Sequence, residues 1–128
     1  MTNTLHNWHQ LIEKRDTQNI GSILADDVVM HSPVVHTPIH GKKIVTLYLM
    51  AAFHTFANDK FTYVRELSND STAILEFTTE IDGIFVNGVD MISWNEDGLI
   101  VDFKVMVRPL KAVNLIHQKM GEMLNRLK

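Results

Sequence analysis

The stretch Leu24-Ala25-Asp26-Asp27-Val28-Val29-Met30-His31-Ser32-Pro33, closed by Pro38-Ile39-His40-Gly41, decides how this chain is read. It reads as the end of a short helix, then a strand, then a turn, then the start of another helix. Val28 to Val35 is rich in residues that suit a pleated, half-buried surface. Pro33 and Pro38 lack a backbone N–H and push the residues before them toward extended geometry, so regular pairing stops there. Gly41 then opens a helix whose inner face is expected to carry Ile44, Leu47, Tyr48 and Ala51, and Asn58-Asp59 ends it.

Upstream, Thr2 to Arg15 predicts a helix, because Leu5, Trp8, Leu11 and Ile12 fall on one face. Asp16-Thr17 breaks that pattern, and either residue can cap a second short helix through Ile20, Ile23 and Leu24. Downstream the period changes to two. Phe61, Tyr63, Arg65 and Leu67 alternate with Thr62, Val64 and Glu66. Ala73, Leu75, Phe77, Thr79 and Ile81 face one way and Glu76, Thr78 and Glu80 the other. Asp82-Gly83 signals a hairpin into a long strand from Ile84 to Trp94, and Asn95-Glu96-Asp97-Gly98 turns into a last strand from Leu99 to Arg108. Pro109 suits the first turn of a final helix striped by Val113, Ile116, Met120, Leu124 and Leu127. Helices that come first and strands that follow as a meander indicate an α+β fold.

With 128 residues the chain is expected to form a single domain spanning 1–128. A net charge of -3 gives no basic excess for nucleic acid. Cysteine is absent, which removes disulfides, thiolate metal sites and cysteine nucleophiles. Neither a signal peptide nor a membrane span is predicted, so the expected location is the cytoplasm.

The order helix, helix, strand, helix, then hairpin strands resembles the nuclear transport factor 2-like superfamily, which includes SnoaL-like polyketide cyclases and ketosteroid isomerases. The resemblance is carried by Ala25-Asp26-Asp27-Val28, His31-Ser32-Pro33, Gly41, Val89-Asp90 and Glu96-Asp97-Gly98-Leu99-Ile100. It implies a cone: a strongly curved antiparallel sheet wrapped on the N-terminal helices, with an apolar cavity inside and a homodimer packed through the sheet. The final helix, Leu110 to Lys128, extends beyond the isomerase pattern, to lid the pocket or embrace a partner subunit. That pattern places its base in an Asp-Pro pair, which here reads Ser32-Pro33. Its oxyanion-holding tyrosine falls at Trp8, its protonated carboxylic acid is matched by Asp90, and Tyr48 corresponds to a pocket tyrosine.

Strand alternation sets Asp90 on a face with Ile92 and Trp94, among Leu75, Phe77, Phe103 and Val105 if that face is concave. A carboxyl there is desolvated and holds its proton toward neutral pH. The plainer reading has Asp90 cap a loop or pair with a basic neighbour. His31 and Ser32 stand at the expected cavity mouth, and only one can point inward. An inward His31 is a natural general base, whereas the resemblance favours Ser32 and a plain strand histidine bonds backbone. Seven histidines invite a metal reading, but no ligand spacing supports one, so neither metal nor cofactor is expected. Arg108, Glu76, Glu80, Asp102 and Lys104 read as a polar outer sheet face. The expectation is a pocket for a small, largely apolar molecule, with acid/base isomerisation, cyclisation or hydration carried by Asp90 and His31. Trp8, Ser32, Tyr48, Phe77 and Phe103 would shape the ligand site. The alternative is a non-catalytic binding or assembly module, and a cavity holding Asp90 separates the two.

Overall fold

Period-two alternation does build the sheet. A computed structural model describes residues 3–127 of the chain. Helix α1 spans Thr4–Lys14 and buries Trp8 and Leu11. A single 3₁₀ turn, Ile20–Ile23, stands where a second helix was expected; Gly21 inside it favours a short element. Strand β1 follows at Leu24–His31, β2 is the pair Ile39–His40, and α2 runs Lys42–Phe56. The long strands are β3 Thr62–Ser68, β4 Thr72–Ile81, β5 Ile84–Trp94 and β6 Ile100–Arg108, and α3 Leu110–Leu127 closes the chain.

The six strands form one open sheet in the order β2-β1-β6-β5-β4-β3. All neighbours are antiparallel except β1 and β6, which run parallel. The expected antiparallel sheet is therefore mixed, because β1 arrives from the N-terminal segment rather than through a hairpin. The register is interrupted in β1 between Leu24 and Val29, in β3 between Tyr63 and Arg65, and in β6 at Val101, opposite Ser93/Trp94; an extra residue on one strand bends it and increases its twist.

One face of the sheet carries Ala73, Leu75, Phe77, Ile92, Trp94, Phe103 and Val105, all buried against the helices. Helix α2 covers this face with Val45, Leu49, Phe53 and Phe56, whereas Ile44 is 51% exposed. The inner face of α2 is thus turned from the expected one: Ala51 is buried as expected, Leu47 and Tyr48 are half-buried and Ile44 faces out. Apolar residues ring this helix almost completely, so its sequence contains no clean stripe to read. Gly41 starts α2 at φ +99°, a conformation open to glycine and strained for other residues. Its N–H donates to the Val28 carbonyl at 2.9 Å, which ties the helix start to β1. Among the described residues, no helix is long and apolar enough to cross a membrane.

Candidate functional site

Asp90 is the side chain around which the interior is arranged. It sits mid-β5, opposite Leu75 on β4 and Val105 on β6, and is 7% exposed. A hollow of about 40 Å³ lies over it, walled by Trp8, Leu49, Phe53, Phe77, Phe103 and Val105 among others. Asp90 is the one titratable side chain lining that hollow among the described residues.

Two donors are lined up on it. Tyr63 Oη donates to Asp90 Oδ2 at 2.7 Å, and Trp8 Nε1 donates to Tyr63 Oη at 3.0 Å. Burial pushes the Asp90 carboxyl up to about 7, against the opposing pull of the Tyr63 hydrogen bond. Burial, and then the Asp90 charge, raise the Tyr63 phenol well above its ordinary value, so it remains a donor. The carboxyl is consequently divided between its two protonation states near neutral pH, which suits a group that gives and takes a proton.

An aromatic cage holds these groups in place. The Trp8 ring meets Phe53 edge-on at 5.5 Å and Phe103 at 5.0 Å. Phe77 is stacked on Phe61 at 5.0 Å and meets Tyr63 edge-on at 6.4 Å. Of the expected site residues, the structure brings together Asp90, Trp8, Phe77 and Phe103.

It leaves three others outside. Met30 pairs with inward-facing Phe103, so the next residue, His31, faces the outer side of the sheet. There its Nε2 lies 3.2 Å from Asp102 Oδ1, too far from the hollow for a base acting beside Asp90. Ser32 lies just past the end of β1, and its Oγ accepts the Val34 N–H at 3.2 Å, a local turn rather than a pocket contact. Tyr48 is half-buried on α2 but does not line the hollow. Its neighbour Leu49 does, and one residue is about 100° around a helix.

The residue that sequence reasoning missed is Tyr63. Its alternation class included Arg65 and Leu67, which read as a mixed face. The extra residue between Tyr63 and Arg65 breaks that class, turning Tyr63 toward Phe77 and leaving Arg65 beside Glu76 on the opposite face. The presence of a charged residue in phase with Phe61 and Tyr63 was the available signal.

Among the described residues, no group of three or more His, Asp or Glu side chains gathers to hold a metal.

Replacing Tyr63 by phenylalanine removes the bond that favours the Asp90 carboxylate, so the Asp90 pKa is expected to rise above about 7. A carbon-13 titration of the carboxyl checks this; an unchanged or lower value would remove Tyr63 from the account. The variant also leaves the Trp8 N–H buried without its acceptor, a cost of about 1–3 kcal/mol.

Residues 5–103 match the family of SnoaL-like domains. A steroid delta-isomerase from Pseudomonas aeruginosa is 36% identical, with a TM-score of 0.90 over 96% of this chain and 90% of that one. A bacterial protein with a cystatin-like fold from Silicibacter pomeroyi is 30% identical, with a TM-score of 0.86 over 95% of this chain and 85% of that one. An NTF2-like protein of unknown function from Mesorhizobium loti shares the fold at 15% identity, with a TM-score of 0.72 over 84% of this chain and 89% of that one. No curated protein matches the chain.

Proposed function

Because the chain belongs to the SnoaL-like domain family, within the nuclear transport factor 2-like superfamily, we propose that it binds a small, largely apolar carbonyl compound and moves a proton on it. The observation that carries this reading is a lone carboxyl in an apolar hollow, with a pKa of about 7 and a two-donor chain behind it. Likeness to a steroid delta-isomerase makes double-bond isomerisation the first reaction to test.

In this scheme the Asp90 carboxylate takes a proton from the carbon beside the carbonyl. The C–H electron pair moves into a dienolate, and the acid just formed returns the proton to the far end of the conjugated system. One C–H bond breaks, one forms, and no co-reactant is consumed. Tyr63 holds Oδ2 throughout, which directs Oδ1 to the reacting carbon. Neither His31 nor Ser32 takes part, since neither reaches the hollow. The hollow, at about 40 Å³, is far below the volume of a ligand site as it stands, so the first probe is a single-ring ketone rather than a steroid.

The test is conversion of 3-cyclohexen-1-one to its conjugated isomer, followed by absorbance across pH. Activity should rise through pH about 7 as Asp90 loses its proton, and Asp90→Asn should lose about 100-fold or more. An Asp90→Asn variant as active as the parent defeats the proposal. Binding of the ketone without any turnover would favour the second reading, a non-catalytic ligand-binding or dimeric assembly module.

The outer face of the sheet supports a further part of this reading, pairing with a second copy of the chain. Leu67 is 65% and Met106 49% exposed there, and with Ile74 and Val89 they border a groove of about 420 Å³. Apolar patches of this kind on a sheet mark contact surfaces. Sedimentation should give a dimer that Leu67→Asp with Met106→Lys converts to folded monomer; a monomeric parent rejects the pairing.

A further inference from the structure

Two spaces in this protein share a wall. The hollow over Asp90 and a surface cleft of about 240 Å³ are both lined by Ile12, Ala57 and Phe61. Neither space alone suits a ligand: the hollow is too tight, and the cleft is open and polar, with Glu13, Arg15 and Asp59 at its rim. Joined, they approach the low end of ligand-site volumes, roughly 300 Å³.

The structure limits what can move to join them. The segment between α2 and β3 is pinned by Asn58, whose Nδ2 donates to the Glu80 carbonyl at 3.0 Å and whose Oδ1 accepts from Thr79 Oγ1 at 3.0 Å and from the Lys60 N–H at 2.9 Å. Helix α1 is held across from it by the Trp8–Tyr63 bond, by His9 against Glu66 at 2.6 Å, and by Thr4 Oγ1 donating to the Gly98 carbonyl at 2.7 Å. The backbone on both sides is therefore fastened. The Phe61 side chain is not: it makes no hydrogen bond, is half-buried, and precedes the first paired residue of β3, Thr62. Its ring contacts are the stack on Phe77 and an edge contact with Tyr63 at 5.1 Å, which hold it shut without locking it.

We propose that the Phe61 ring is the door of the hollow, and that the ligand is a neutral one- or two-ring carbonyl compound that enters past Phe61 and Ile12, its ring against Asp90 and its far end in the cleft. This rests on the reading of the Asp90 hollow as a binding site. Neutrality follows from the route: two carboxylates against one guanidinium at the rim, and a further carboxyl at the end, disfavour an anion, and the apolar walls of the hollow disfavour a cation.

The probes are acetophenone and benzoate, which share a ring and differ in charge, observed at pH 8 by NMR exchange with carbon-13-labelled Asp90. Acetophenone is expected to shift the Asp90 carboxyl and to bind at least about tenfold tighter than benzoate. Glu13→Gln with Asp59→Asn should narrow that ratio. Phe61→Ala should raise the association and dissociation rates together by about tenfold, and Phe61→Trp should slow both, since entry that waits on a conformational step is slow. Ile12→Ala trims the opposite jamb and should speed entry likewise, which covers a Phe61→Ala chain that fails to fold. Acetophenone that shifts Asp90 at rates indifferent to these variants overturns the door and leaves the hollow's role standing. Benzoate bound as tightly overturns the ligand class. Acetophenone that leaves Asp90 unshifted in parent and variants alike overturns the door and the proposed function together.

Discussion

Asp90→Asn is expected to gain roughly 4 kcal/mol of stability relative to the parent between pH 4 and pH 8, at about 1.36 kcal/mol per pKa unit. The folded carboxyl titrates near 7 and the unfolded one near 3.8. Between those values the folded state holds a proton that the unfolded state has released, so the parent's stability falls as pH rises through the window. Below it both states are protonated and the parent keeps its full stability. Above it the parent buries a carboxylate whose burial is only partly offset by the Tyr63 hydrogen bond. Asparagine does not titrate and can still accept from Tyr63 Oη through its amide oxygen. Parallel urea titrations at the two pH values read the effect, with the difference between variant and parent cancelling other titrating groups. An equal gap at both pH values would mean that Asp90 ionises as readily inside the protein as outside, and the site would lose its tuned acid.

The second large effect belongs to a residue with no side chain. Gly88 lies on β5 between Phe77 of β4 and Val107 of β6. A Cβ built there would come within 2.4 Å of Phe77 Cζ, 2.8 Å of Phe77 Cε2 and 2.9 Å of the Met106 carbonyl oxygen. The carbonyl belongs to the sheet backbone and cannot retreat. The phenyl ring is 2% exposed and hemmed by Phe56, Phe61 and Tyr63, so the space left to it is the hollow that it lines. Gly88→Ala should therefore cost about 3 kcal/mol, at the upper end of the usual overpacking penalty. It should also drive the Phe77 ring into the hollow and close it. Phe77→Leu added to Gly88→Ala should recover part of the loss, because the two changes meet in one contact. An alanine variant as stable as the parent would mean that the ring lies elsewhere.

Much of this was legible in the chain. Strands β4 and β5 alternate cleanly, because one side of the sheet is packed and the other is not, and β6 does so from Phe103 onward, past an extra residue at Val101; that alternation put Asp90 inside beside Phe77 and Phe103. Other parts were not legible, for reasons that can be named. Tyr63 was hidden by an extra residue in β3, which reverses the inward side without leaving a glycine or proline to mark it. Tyr48 and Ile44 were misplaced because α2 is apolar nearly all round, so period alone could not orient it. The sequence around His31 is compatible with either face; Val28 and Met30, 0% and 1% exposed, are what turn it outward. The parallel contact of β1 with β6 joins Leu24 to Ile100, and no local pattern announces a partner so distant.

That distant contact bears on how the molecule is made. During synthesis β1 emerges well before β6, with β2, only two residues long, on one of its edges. Its other edge stays unsatisfied until β6 has been translated. The nascent chain thus carries an open strand edge, with Val28 and Met30 uncovered, while the residues between β1 and β6 are made. Contacts so far apart in sequence form slowly, and an unpaired edge invites the neighbouring polysome product. Asp26 and Asp27, exposed at the start of this strand, place two negative charges where such a mispairing would begin.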